Sequence, residues 1–88
     1  MSQVTVEFYG IPRVRAGVCS VVMNADSLGD LLTQLAVRFP GLADSCLRGN
    51  ELAAGYTANI NGDRFTRDAT TLLSDGDAVL ILSVDAGG

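Results

Sequence analysis

The sequence predicts an α+β domain: a mixed sheet of four to five strands packed on one main helix. Two strand-like stretches lie near the ends of the chain, residues 4–9 with the two-residue period of a strand and residues 78–84 apolar on both sides. Residues 28–39 carry leucines at helical spacing. The dipeptide Asn61-Gly62, the strongest short hairpin signal, separates two β-like runs.

In the first stretch Val4, Val6 and Phe8 alternate with Thr5, Glu7 and Tyr9, and Gly10-Ile11-Pro12 breaks the pattern. A β-branched run over 18–23 follows. The two read as an antiparallel hairpin with a long connecting loop. Asn24-Ala25-Asp26-Ser27 is a helix-start cluster: Ser27 caps the first amides, and Asp30 imitates a capping box with a shorter acid. Leu28, Leu31, Leu32, Leu35, Ala36 and Phe39 then form one apolar stripe, expected to be a core face, and Pro40-Gly41 ends the helix. Residues 42–55, which include Asp44, Arg48, Asn50 and Glu51, show no period and are expected to form a loop or short turn. Residues 56–60 alternate as a strand, Asn61-Gly62 turns the chain, and Arg64-Phe65-Thr66 returns it. Residues 69–73 resemble a short connector, Ser74-Asp75-Gly76-Asp77 a turn, and residues 78–84 the last strand. A hairpin followed by a helix lays that helix across one sheet face, and a right-handed crossover brings the last strand beside the first. This is the β-grasp arrangement over residues 1–84. Residues 85–88 are expected to be a flexible tail, because glycines and chain ends hold little order.

The last strand is apolar on both sides, with Val79 and Ile81 on one and Leu80, Leu82 and Val84 on the other. One helix covers only one face. The second is therefore expected to be an apolar, wet interaction surface, unless the irregular residues 42–55 fold over it.

Composition narrows the chemistry. A chain of 88 residues forms one domain that buries roughly 60–65% of its unfolded surface, too little for a deep active-site cavity. Its net charge is −4, and its cations, Arg13, Arg15, Arg38, Arg48, Arg64 and Arg67, are scattered. Nucleic-acid binding needs a concentrated positive face and is not expected. There is no histidine, hence neither the commonest general base nor the commonest metal ligand. There is no lysine, so the chain cannot be joined to itself through a lysine side chain. Two cysteines do not suffice for a four-ligand zinc site or an iron–sulfur cluster. Cys19 lies in an apolar run and is expected in the core; Cys46 is expected to be exposed; neither has a histidine to activate it. No apolar run is long enough to span a bilayer, and no charged leader precedes an apolar stretch. A cytoplasmic location follows as the expectation.

The chemistry is expected at the C-terminus. A carboxylate on Gly87-Gly88 has no Cβ to obstruct approach and threads a narrow tunnel in extended form. The reacting site would then belong to a partner enzyme, with this chain as the handle. Asp75-Gly76-Asp77-Ala78-Val79, the strand Leu80-Ile81-Leu82 and the tail Asp85-Ala86-Gly87-Gly88 resemble the C-terminus of the MoaD/ThiS family of ubiquitin-like sulfur carriers. The resemblance extends to Val4-Thr5-Val6-Glu7-Phe8-Tyr9, the helix over 28–39 and Ile60-Asn61-Gly62. The length suits the branch of the molybdopterin synthase small subunit.

That resemblance implies a protein substrate rather than an enzyme, with no bound cofactor. A ubiquitin-activating-type adenylyltransferase spends ATP to adenylate Gly88, and a sulfur donor converts it to a thiocarboxylate. The sulfur passes to an acceptor such as the molybdopterin synthase large subunit. The family's partner-facing positions map onto Tyr9 and Leu82, beside which Leu80 lies on the same apolar side. A position often apolar in the family falls near Arg64, Arg13 matches a basic position after the first strand, and Asp85 and Ala86 lead into the reactive end. Carriers for thiamine, cysteine or other thio-metabolites share this tail chemistry, and so does a ubiquitin-like protein modifier.

Overall fold

Strand β1 (Gln3–Phe8) turns Val4, Val6 and Phe8 inward and leaves Gln3, Thr5 and Glu7 exposed, as its alternation requires. It belongs to a computed structural model of the chain that describes residues 2–84. The connection to β2 (Ser20–Asn24) is not a plain loop. It contains a short helix, α1 (Ile11–Ala16), opened by Pro12 in its first turn and closed by Gly17 at φ 80°. Pro supplies a preset φ where an amide partner is not needed, and Gly accepts the left-handed cap.

Helix α2 (Leu28–Arg38) buries Leu28, Leu31, Leu32 and Leu35 completely. Three of its orphan N-terminal amides find partners outside the helical ladder. Asp30 N donates to Ser27 Oγ at 3.1 Å. Leu28 N and Gly29 N donate to the carbonyls of Thr71 and Ala69, both 2.9 Å away. The connector before the last strand is thus tied to the start of α2.

Pro40-Gly41 ends α2 and also begins α3 (Pro40–Cys46), with Pro40 in its first turn. The expected loop over 42–55 is therefore a helix followed by a small hairpin, β3 (Leu47–Arg48) with β4 (Glu51–Leu52). Leu42 and Cys46 stand one helical turn apart on α3, too short a run to declare a period in the sequence, and with Leu47 and Leu52 they join the core. This segment packs beside α2 and not over the opposite sheet face. It also reverses the expectation for the cysteines: Cys46 is buried at the end of α3, and Cys19 is exposed just before β2.

Strand β5 (Tyr56–Ile60), strand β6 (Arg64–Thr66) and strand β7 (Ala78–Ser83) complete a sheet of order β2-β1-β7-β5-β6. β1 and β7 run parallel in the centre, and the other neighbours are antiparallel. This is the β-grasp fold. One core fills the space between the sheet and the helices, with Val4, Val6, Ala58, Ile60, Val79 and Ile81 from the strands meeting the α2 leucines. Phe8 and Phe39 meet edge to face, centroids 5.8 Å apart.

Candidate functional site

The sheet register fixes which side chains share the face turned away from the helices. Ser20, Glu7, Leu80, Asn59 and Phe65 stand opposite one another in a single row across all five strands. Tyr9, just beyond β1, donates its amide to the Ile81 carbonyl at 3.0 Å. It thereby sits beside Leu82, which pairs with Thr57. Two aromatic rings flank this surface, Tyr9 at 53% exposure and Phe65 at 57%. Leu80 is half-buried between them. Leu82 lies on the same face but is only 4% exposed and does not join the core cluster. The expectation of a uniformly wet apolar face is corrected there: Leu82 is covered on its own side of the sheet.

Arg64 is not on this face. A two-residue Asn61-Gly62 turn would pair Ile60 with Asp63 and set Arg64 beside Asn59. Asn61 (φ 57°) and Gly62 (φ 71°) do form the turn, closed by Asp63 N on the Ile60 carbonyl at 3.0 Å. The ladder, however, resumes with Arg64 opposite Ile60. One extra residue exchanges the faces. Arg64 goes to the helix side, in a shallow cleft with Leu72, Ser74 and Asp77, and Phe65 takes the place on the outer face. Phe65 and Asn59 are the residues that sequence reasoning missed. Only the true turn length would have revealed them.

Arg13 sits on α1, where its guanidinium contacts Cys19 Sγ at 2.6 Å. It is thus at the edge of the molecule and not in the aromatic-flanked row. Asp85, Ala86, Gly87 and Gly88 lie outside the described residues.

The strand that leads to the tail is rigidly anchored at its start. Asn61 donates from its amide nitrogen to Asp77 Oδ1 at 2.9 Å and accepts from Ala78 N at 2.8 Å. Ser74 N donates to Asp77 Oδ2 at 2.8 Å. These bonds, the Asn61 amide first and the Ser74 N–H second, hold the Asp77 carboxyl below the ordinary aspartate value of 3.8. Gly76, at φ 89°, closes this turn, and its amide donates to the Gln3 carbonyl at 2.8 Å. Hairpin, turn and first strand are thereby locked around the base of β7.

Among the described residues no group of three Asp, Glu, Cys or His side chains is placed to hold a metal ion. No helix among them is long and apolar enough to cross a membrane.

The model of the ThiS family matches residues 6–88. The chain belongs to the ThiS family. As a ThiS-family protein it is a small ubiquitin-like sulfur carrier of the MoaD/ThiS type. Its structure is similar to small archaeal modifier protein 1 from Methanosarcina acetivorans (TM-score 0.79, 26% identity, covering 100% of this chain and 98% of that one). It is also similar to CysO of Mycobacterium tuberculosis (TM-score 0.72, 28% identity, 91% and 97% covered). A putative molybdopterin converting factor subunit 1 from Pyrococcus furiosus shares the fold (TM-score 0.76, 20% identity, 94% and 98% covered). No curated protein matches the chain.

Proposed function

We propose that this ThiS-family chain carries sulfur on the carboxylate of Gly88 and donates it in molybdopterin biosynthesis. The observation that carries the reading is that the family match covers residues 6–88 and so includes Gly87-Gly88, which follow β7 in the sequence after Val84, Asp85 and Ala86. The Gly88 carboxylate attacks the α-phosphate of ATP on a ubiquitin-activating-type adenylyltransferase and releases pyrophosphate. Hydrosulfide, or a donor at that oxidation level, then adds to the acyl carbon, expels AMP and leaves a thiocarboxylate. That group is a soft nucleophile. It gives its sulfur to an acceptor held by another enzyme, a molybdopterin synthase large subunit in this reading. Tyr9, Leu80 and Phe65 form the contact surface for these partners, with Leu82 beneath them. Aromatic anchors beside a half-buried leucine are the kind of group that dominates protein interfaces.

The test is the intact mass of the full chain after incubation with an activating enzyme, ATP and a sulfur source. The mass is expected to rise by the difference between sulfur and oxygen. Deleting Gly88, or extending the chain beyond it, is expected to abolish the rise without altering the melting temperature. An extended chain that still gains sulfur ends this reading.

The likeness to small archaeal modifier protein 1 favours a second reading, a modifier joined through Gly88 to lysines of other proteins. Covalent adducts of defined mass on those proteins would select it.

A further inference from the structure

Strand β2 is one edge of the five-stranded sheet, and among the described residues no strand lies on its outer side. The hydrogen bonds around it fix which of its backbone groups face outward. Phe8 N donates to the Cys19 carbonyl at 2.9 Å, and Ala25 N donates to the Ser2 carbonyl at 2.8 Å. In an antiparallel pair such positions alternate, so Val21 and Met23 turn to β1, and Ser20, Val22 and Asn24 turn away from it. Thr5 agrees. It stands opposite Val22, and its own N–H goes the other way, to the Asp77 carbonyl at 3.0 Å. The exposed Val22 thus presents both an N–H and a carbonyl beyond the edge. Proteins protect such edges with charges, proline or a bulge. This strand, Ser-Val-Val-Met-Asn, has neither charge nor proline, and its register with β1 is unbroken. At its end the Asn24 carbonyl accepts from Gln34 Nε2 at 2.7 Å.

Alternating outward donors and acceptors are completed by another extended backbone. We infer that this backbone is β2 of a second copy of the chain, paired antiparallel about a two-fold axis at Val22. A two-fold seam sets one patch against itself. Val22 stands opposite Val22 of the other copy, and the two exchange N–H···O bonds; Ser20 stands opposite Asn24. The flanks carry complementary charge in this orientation. Cys19 falls across from Ala25 of the other copy, and Arg13 contacts Cys19 Sγ at 2.6 Å. Arg13 therefore comes to the end of the other copy's strand that Gln34 marks. There the exposed Asp30 lies one turn before Gln34 on the same side of α2. Symmetry makes this pairing of Arg13 with Asp30 twice, whereas a parallel seam would set like ends together. The short ladder and the net charge of −4 on each copy keep the dimer weak. β1 stands between the seam and β7, so this inference goes beyond the carrier reading and does not depend on it.

Sedimentation equilibrium of the full chain between about 0.01 and 1 mM, with reductant to keep Cys19 a thiol, is expected to show monomer giving way to dimer. Val22→Lys sets two ammonium groups opposite each other at the axis and is expected to weaken the dimer about tenfold. Val22→Pro removes the outward N–H and keeps the bonds to β1. It is expected to weaken the dimer similarly, with little change in melting temperature; Val22 is exposed, so Val22→Lys decides the matter even if Val22→Pro does not fold. Arg13→Glu is expected to weaken the dimer about fivefold, and adding Asp30→Arg to restore it. Reversing the second charge would not repair a change that merely disturbed the fold. A chain that stays monomeric at about 1 mM leaves this edge to an extended segment of another protein and overturns the inference. So does a dimer untouched by Val22→Lys, a dimer that reductant abolishes, or an Arg13→Glu loss that Asp30→Arg does not reverse.

Discussion

Single residues hold this domain together at points where two backbones meet. Gly41 is one. A Cβ built there would lie 2.8 Å from the Arg15 carbonyl oxygen, so the residue type sets how closely α3 approaches α1. Gly41→Ala is expected to cost about 1–3 kcal/mol in urea denaturation, the usual range for overpacking. Asp77 is another. Its carboxyl titrates below 3.8 because Asn61 and then Ser74 donate to it. A depressed folded value means that the stabilisation is complete above 3.8 and is lost as pH falls through the folded value. Asn61→Gly keeps the positive φ the turn needs while removing the donor. In that variant the Asp77 carboxyl, followed by NMR, is expected to titrate closer to 3.8, and stability above that pH to fall relative to the parent. Below the folded value of Asp77 the part of the difference that comes from this titration disappears.

At the scale of elements, the two faces of the sheet respond differently to the same change. Leu32, on the inner side of α2, is fully buried, so Leu32→Ala is expected to cost about 2–5 kcal/mol. Leu32→Asp should leave the chain unfolded at room temperature by circular dichroism, since it puts an unpaired charge in the single core. Leu80 is half-buried on the outer face. Leu80→Asp should leave the fold intact and weaken binding of the activating enzyme, measured by calorimetry, by about 2 kcal/mol or more if it is a central anchor. Leu82, at 4% exposure, belongs between these cases. Leu82→Asp is expected to lower the melting temperature as well as binding, so Leu80 and Phe65 are the cleaner positions for testing the surface. A Leu80→Asp protein that folds and binds normally would place recognition elsewhere.

Across the whole molecule, Arg67, just past the edge strand β6, fastens the sheet to the small β3–β4 hairpin. Its guanidinium donates to the Tyr56 carbonyl at 2.9 Å and to the Leu52 and Ala53 carbonyls at 3.0 and 3.1 Å. These carbonyls lie at the end of β4, in the connector and at the start of β5, so one side chain ties that turn together. Arg67→Ala is expected to lower stability by about 1–3 kcal/mol, with faster amide exchange around residues 52–56. Lysine, with a single ammonium, is not expected to restore the three bonds.

Much of this was determined by the sequence alone, because the relevant signals are local. The alternation of Val4, Val6 and Phe8, the α2 leucine stripe, the Ser27 cap and the Ser74–Asp77 turn each depend on neighbours within a few residues. The order of these elements is enough to imply the β-grasp, and the residues of the first strand, helix and tail are enough to recognise the family. Tertiary structure decided the rest. The core contributions of Leu42, Cys46, Leu47 and Leu52 come from runs too short to declare a period. The exchange of Arg64 for Phe65 on the outer face followed from one extra residue in a turn, which hydrogen bonding to distant strands selects. The burial of Leu82 and of Asn59 belongs to the assembled sheet. Whether a side chain on a two-sided apolar strand is covered or open depends on what lies across from it, and that is fixed only when the strands come together.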